Sequence, residues 1–155
     1  MPRTFARIYI YSCPDGQRDA VLKILDDRNF ELESDAEPDG DLCLDERYVN
    51  SEAPEGCCQD VAQLLAKDAP GVSFKMWEDP DSAMLGQVFM YTPALGGFTA
   101  DCDSAGEVVF NFDLVRTALR SSRRSSQILA ELGMAMGQPW ALDYWTSSQT
   151  AGSDE

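Results

Sequence analysis

The chain has 155 residues, enough for one domain with its own apolar core. It carries 27 acids against 12 bases, a net charge of −15, and no histidine. That composition excludes the usual neutral-pH general base, the Ser-His-Asp triad and histidine-ligated zinc, and its field repels phosphate backbones, so direct nucleic-acid binding is not expected. No apolar run has the length of a membrane span, and the N-terminus lacks a charged-then-apolar leader, so a cytoplasmic protein without membrane association is expected. The five cysteines form no C-x-x-C pair and read as small buried thiols in a reducing compartment. A redox role for the adjacent Cys57 and Cys58 is a minor alternative, because neighbouring residues on a helix point in different directions.

Residues 6–12, "ARIYIYS", alternate and are rich in β-branched and aromatic types, which predicts a strand. A helix follows from Pro14-Asp15-Gly16, with Ala20, Val21, Ile24 and Leu25 at helical spacing. Phe30, Leu32 and Ser34 then alternate with acids, Pro38-Asp39-Gly40 is turn chemistry, and Leu42 and Leu44 resume the alternation, so a hairpin with its second strand reaching Val49 is expected. Ser51 offers an N-cap and Pro54 a first-turn residue for a helix with Cys57, Cys58, Val61, Leu64 and Leu65 on one face, ending at Pro70-Gly71. "VSFKMWE" is again strand-like.

The order through residue 79 is βαββαβ, the ferredoxin-like plait. Residues 85–110 read as further sheet, "LGQVFMYTP", "FTADCD" and "EVVF", broken at "ALGG" and "SAG". Asn111 caps a helix with Leu114, Val115, Ala118 and Leu119 on its apolar face. "RSSRRSS" interrupts the period before Ile128, Leu129 and Leu132 restore it, giving two short helices or one kinked helix ending near Gly137-Gln138-Pro139. Trp140, Leu142, Tyr144 and Trp145 are expected to dock back on the body, and residues 146–155 to form a disordered tail. The expected fold is α+β over residues 1–145: a ferredoxin-like half (1–79), an added antiparallel β-hairpin (80–110) and a C-terminal helical segment (111–145).

Charge is concentrated. Residues 26–46 hold ten acids and one base, Arg28, for −9, whereas residues 111–155 hold five acids and four bases, for −1. Twelve residues from Asp35 resemble an EF-hand calcium loop, with acids at Asp35, Glu37, Asp39 and Asp41, then Gly40, Leu42 and a closing Glu46. The strand-like "FELES" before it and Pro54 after it oppose the helices such a loop needs, which favours the hairpin.

On a strand, carboxylates at i and i+2 recur every ~6.6 Å, about two phosphate steps of ~3.4 Å along a nucleic-acid strand. In size, acidity and lack of catalytic equipment the chain resembles small acidic inhibitors of phages and plasmids that occupy the nucleic-acid grooves of restriction or CRISPR nucleases. That resemblance implies a cofactor-free binding protein without enzymatic activity, whose partner is a basic nucleic-acid-binding protein. It casts Glu31, Glu33, Asp35, Glu37, Asp39, Asp41, Asp45 and Glu46 as phosphate surrogates. "WEDP", "YTPALGGFTADCD" and "IYSCPDGQ" are also similar to uncharacterised actinobacterial or mobile-element proteins. Two alternatives stand beside this reading. One is a non-catalytic ferredoxin-like interaction module whose acidity serves solubility, and the other a carboxylate-dependent metal-binding protein or enzyme. Arg120, Arg123 and Arg124 are expected to form salt bridges with the acidic hairpin or to serve a partner or dimer contact. The oligomeric state is left open.

Overall fold

Strand β1 (Arg3–Ser12) sets the plan of the molecule. Its alternation buries Ala6, Ile8 and Ile10 on one side of a sheet and turns Arg7, Tyr9 and Tyr11 to the other. The structure is a computed structural model describing residues 3–34, 41–81, 84–120 and 124–151. In it, β1 lies between β3 (Arg47–Pro54) and β4 (Ser73–Glu78), antiparallel to both. With β2 (Glu31–Leu32), β5 (Gly86–Thr92) and β6 (Gly96–Cys102) they form one antiparallel sheet in the order β2-β3-β1-β4-β5-β6. Among the described residues five α-helices accompany it, so the fold is mixed α+β.

Helix α1 (Arg18–Asp27) buries Val21, Ile24 and Leu25, and α2 (Cys57–Asp68) buries Cys57, Cys58, Val61 and Leu65. These residues meet Ile8, Ile10, Phe74 and Met76 in a single core on one side of the sheet. Each such side chain contributes on the order of 1.5–3 kcal/mol by leaving water.

Two boundaries differ from the sequence reading in ways that shape the site. Ser51 and Pro54 do not start α2; they belong to β3, whose last residue, Pro54, pairs with Arg3. Proline is tolerated there because β2 pairs only with Tyr48 and Val49, leaving this end of β3 without an outer neighbour that needs its N–H. The hairpin is also shorter than expected. β2 has two residues, and Leu42 and Leu44 lie outside any strand; Leu42 is buried in the core instead. This segment bonds elsewhere: the Cys43 amide donates to the Tyr48 hydroxyl (3.0 Å), and the Asp45 amide to the carbonyl of Ile10 (2.9 Å). Asp45 takes φ +59°, which ends any extended run before β3. The turn at Pro38-Asp39-Gly40 lies outside the described residues.

The other side of the sheet is aromatic. Trp77, Val88, Met90, Cys102 and Tyr144 are buried there, with Tyr9, Tyr11, Phe98 and Trp140 packed against them. Gly106, at φ +79°, lets the chain lie on the Trp77 ring, where an added Cβ would come within 2.6 Å. "EVVF" is not a strand; Val108 makes one isolated bridge to Cys102.

Asn111 caps α3 (Phe112–Arg120) by accepting the Leu114 amide at 2.8 Å, as expected. Helix α4 (Ser125–Ala135) follows, and then a third helix that the sequence reading did not contain, α5 (Gln138–Ala151). Gly137, at φ +74°, separates the two. Pro139 lies in the first turn of α5 rather than ending a helix, because its missing N–H is one the first turn leaves unbonded anyway. The expected disordered tail is therefore corrected for residues 146–151, which belong to α5; residues 152–155 lie outside the described set.

Tyr144 and Trp140 dock as expected. Tyr144 stacks on Tyr11 with ring centroids 4.3 Å apart, accepts the Tyr91 amide at 3.0 Å and donates to the carbonyl of Phe74. Trp140 donates to the carbonyl of Gly96 at 2.9 Å. Leu142 and Trp145, expected to dock too, are 58% and 65% exposed. Among the described residues no helix is long and apolar enough to cross a membrane.

Candidate functional site

The described acids of the segment lie on and beside β2, at the edge of the sheet. Glu31, Glu33, Asp41, Asp45 and Glu46 are all exposed, while Asp35, Glu37 and Asp39 lie outside the described residues. Only Glu31 sits on a strand, so the row of carboxylates at strand spacing is not found in the described part. Glu33, Asp45 and Glu46 instead line one open hollow of about 280 Å3 with Tyr9, Ser34 and Arg47.

Two arginines answer this charge. Arg47 pairs with Glu33, and Arg18 reaches both Asp41 and Asp15 at 3.2 Å. The Glu33 hydrogen bond pushes the Arg47 guanidinium above its ordinary range. The described ion pairs of the segment therefore run to Arg18 and Arg47 and not to Arg120 or Arg124; Arg123 lies outside the described residues. Exposed pairs of this kind are worth about 0–1 kcal/mol each, so most of the local field is left for solvent or a partner. The flanks of the EF-hand-like stretch are β2 and β3, where a calcium loop needs two helices.

A second cluster lies at the start of α2. Its N-cap is Gly56, at φ +86°, which has no side chain to accept the first helical amides. Glu78, at the end of β4 and buried, takes that role: Oε1 accepts the Cys58 amide at 2.9 Å and Oε2 the Gly56 amide at 3.2 Å. This brings the carboxylate against the two cysteines of the first turn. One oxygen of Glu78 and the Sγ atoms of Cys57 and Cys58 all lie within 4.8 Å of one another. The two thiols thus converge, contrary to the expectation that neighbouring helix positions diverge, since both sulfurs turn toward the carboxylate that caps their helix.

The thiols differ chemically. A hydrogen bond from Cys58 lowers Cys57 below the ordinary thiol range, against the effect of burial, and Arg28 acts in the same direction. Burial pushes Cys58 well above it. Cys57 also borders a cavity of about 390 Å3 lined by Arg3, Arg28, Glu31, Asn50 and Glu52. Of the remaining thiols, Cys102 is buried and pushed up to about 12, chiefly by desolvation, while Cys13 and Cys43 are half-buried. Adjacent cysteines behind a glycine were a visible signal for this cluster; its carboxylate, twenty residues further on, was not.

Residues 23–152 match the model of the family described as Protein of unknown function (DUF3145). The chain belongs to this family. The matched span runs from within α1 to the end of α5 and so contains both the acidic segment and the thiol–carboxylate cluster. No curated protein and no solved structure matches the chain.

Proposed function

We propose that this protein is a non-enzymatic, acidic inhibitor or adaptor that presents residues 31–46 to a basic nucleic-acid-handling protein in the cytoplasm, in the manner of anti-restriction or anti-CRISPR proteins. The observation that supports the reading is charge density: −9 within residues 26–46 of the sequence, with the described carboxylates Glu31, Glu33, Asp41, Asp45 and Glu46 exposed and answered by few arginines. Such a patch raises encounter rates with a basic surface and gains free energy when its self-repulsion is neutralised. The surrogate is a charged hollow bounded by Glu33, Asp45 and Glu46 rather than a straight rod. We read residues 1–79 as a ferredoxin-like plait that carries this segment; the order β2-β3-β1-β4, with α1 and α2 packed in one core, supports that reading.

The test begins with a partner captured from the native host. Its complex should weaken steeply with salt, compete with duplex DNA for the partner, and be lost on charge reversal of Glu33, Asp45 and Glu46 to lysine. A complex that is indifferent to salt and survives the triple reversal sinks the proposal, and leaves the acids as a device that keeps the edge strand from pairing with other chains.

A further inference from the structure

Capping accounts for Glu78 but not for the sulfurs beside it. A valine or alanine would fill the positions of Cys57 and Cys58 without setting two thiols against a buried carboxylate, and a thiol is a weak hydrogen-bonding group. Each Glu78 oxygen accepts one amide, and the Cys58 thiol hydrogen-bonds to the same carboxylate, so a carboxylate lone pair faces the sulfurs. Three donor atoms within 4.8 Å of one another need only small side-chain rotations to reach the edges of about 3.5–3.8 Å set by tetrahedral bonds of about 2.3 Å to sulfur and 2.0–2.2 Å to oxygen. All three residues are at most 7% exposed, so they are held in place by the core.

We propose that Cys57 Sγ, Cys58 Sγ and one Glu78 oxygen form a binding site for a zinc-class divalent cation, with the fourth position open to the cavity beside Arg28. Two thiolates and one carboxylate select a borderline-soft ion over magnesium or calcium, which take oxygen donors. On binding, the two thiol protons pass to solvent and the bound water completes the tetrahedron. Two thiolates and a carboxylate around a dication leave one net negative charge, and Arg28 together with the first amides of α2 lies where it offsets that charge. The carboxylate then both caps the helix and anchors the ion, so occupancy would join the start of α2 to the end of β4. This site is independent of the acidic-edge reading.

The probe is cobalt(II), added to the reduced, metal-free full chain and then displaced with zinc(II). One equivalent should bind, with sulfur-to-cobalt charge-transfer absorption and the ligand-field bands of a tetrahedral centre. Cys57→Ser, at the cavity wall, should weaken binding about a hundredfold or more and remove part of the charge-transfer intensity, while circular dichroism remains that of the folded chain. Cys58→Ser should act alike if it folds; if it does not, Cys57→Ser decides. A Cys13→Ser/Cys43→Ser double variant should keep the full signal. Absence of charge-transfer absorption in the parent chain overturns the proposal, as does a signal that survives Cys57→Ser and vanishes in the double variant, since the ion would then belong to the half-buried thiols.

Discussion

On the side of the sheet that carries α1 and α2, the buried residues are largely aliphatic: Ile8, Ile10, Val21, Val61, Leu65 and Met76. On the opposite side buried Trp77 and Tyr144 are joined by the partly buried Tyr9, Tyr11, Phe98 and Trp140 in an aromatic layer, with rings stacked or tilted against one another and Trp77, Trp140 and Tyr144 tied to backbone carbonyls. The first side is closed by α1 and α2, each joining strands that follow one another along the chain but lie one strand apart in the sheet. The second is closed by α5, which comes from the far end of the chain. Burial of aliphatic surface is non-directional and insensitive to pH, whereas the aromatic side depends on particular hydrogen bonds and on phenols that must remain neutral. The difference assigns bulk stability to one side and conditional stability to the other.

The strongest way to break this contrast is Phe74→Ala, at the centre of the aliphatic side and 1% exposed. It is expected to cost about 3–5 kcal/mol in urea unfolding. A loss no larger than that of an exposed substitution would mean that the helix-backed core is not the main source of stability.

Glu78→Ala tests the carboxylate that, among the described residues, is the buried one on the same side. It leaves the Gly56 and Cys58 amides without their acceptor and is expected to cost about 1–3 kcal/mol, with faster amide hydrogen exchange confined to the first turn of α2.

The aromatic side should respond to alkaline pH. Burial, with smaller contributions from Tyr9, Asp45 and Glu107, pushes the Tyr11 phenol up to about 12, and burial also raises Tyr144. A raised folded-state value means that the folded chain holds its proton longer than the unfolded chain does. Tyr11's contribution is therefore complete below pH ~10 and is lost as pH rises from ~10 through about 12, on the order of 1–2 kcal/mol. Tyr11→Phe should flatten the fall in stability over that interval, as measured by unfolding at fixed pH values. An unchanged slope would remove the phenol from the account.

The smallest expected effect on stability is Glu31→Lys at the acidic edge. Exposed and outside both cores, it should change unfolding by no more than about 0.5 kcal/mol while altering the salt dependence of any partner complex.

Much of the fold was legible because local periodicity carries it. The alternation around Ile8 and Ile10, the helical spacing of Val21, Ile24 and Leu25, the strand at Phe74 and Met76, and the cap at Asn111 needed no knowledge of their partners. The acidic segment was legible as composition but not as geometry. Two residues of β2, the burial of Leu42 and the positive φ of Asp45 replace the long hairpin, because this segment bonds to Tyr48 and to the end of β1 instead of to a continued strand.

By itself, the sequence determined which residues turn inward, where charge accumulates and which chemistry lacks its histidine. Tertiary structure alone decided what those inward faces meet. A helix that begins at a glycine must find an acceptor for its first amides, and only the crossing of β4 beneath α2 supplies one. That crossing brings Glu78, twenty residues further along the chain, against the adjacent Cys57 and Cys58 in a single buried cluster.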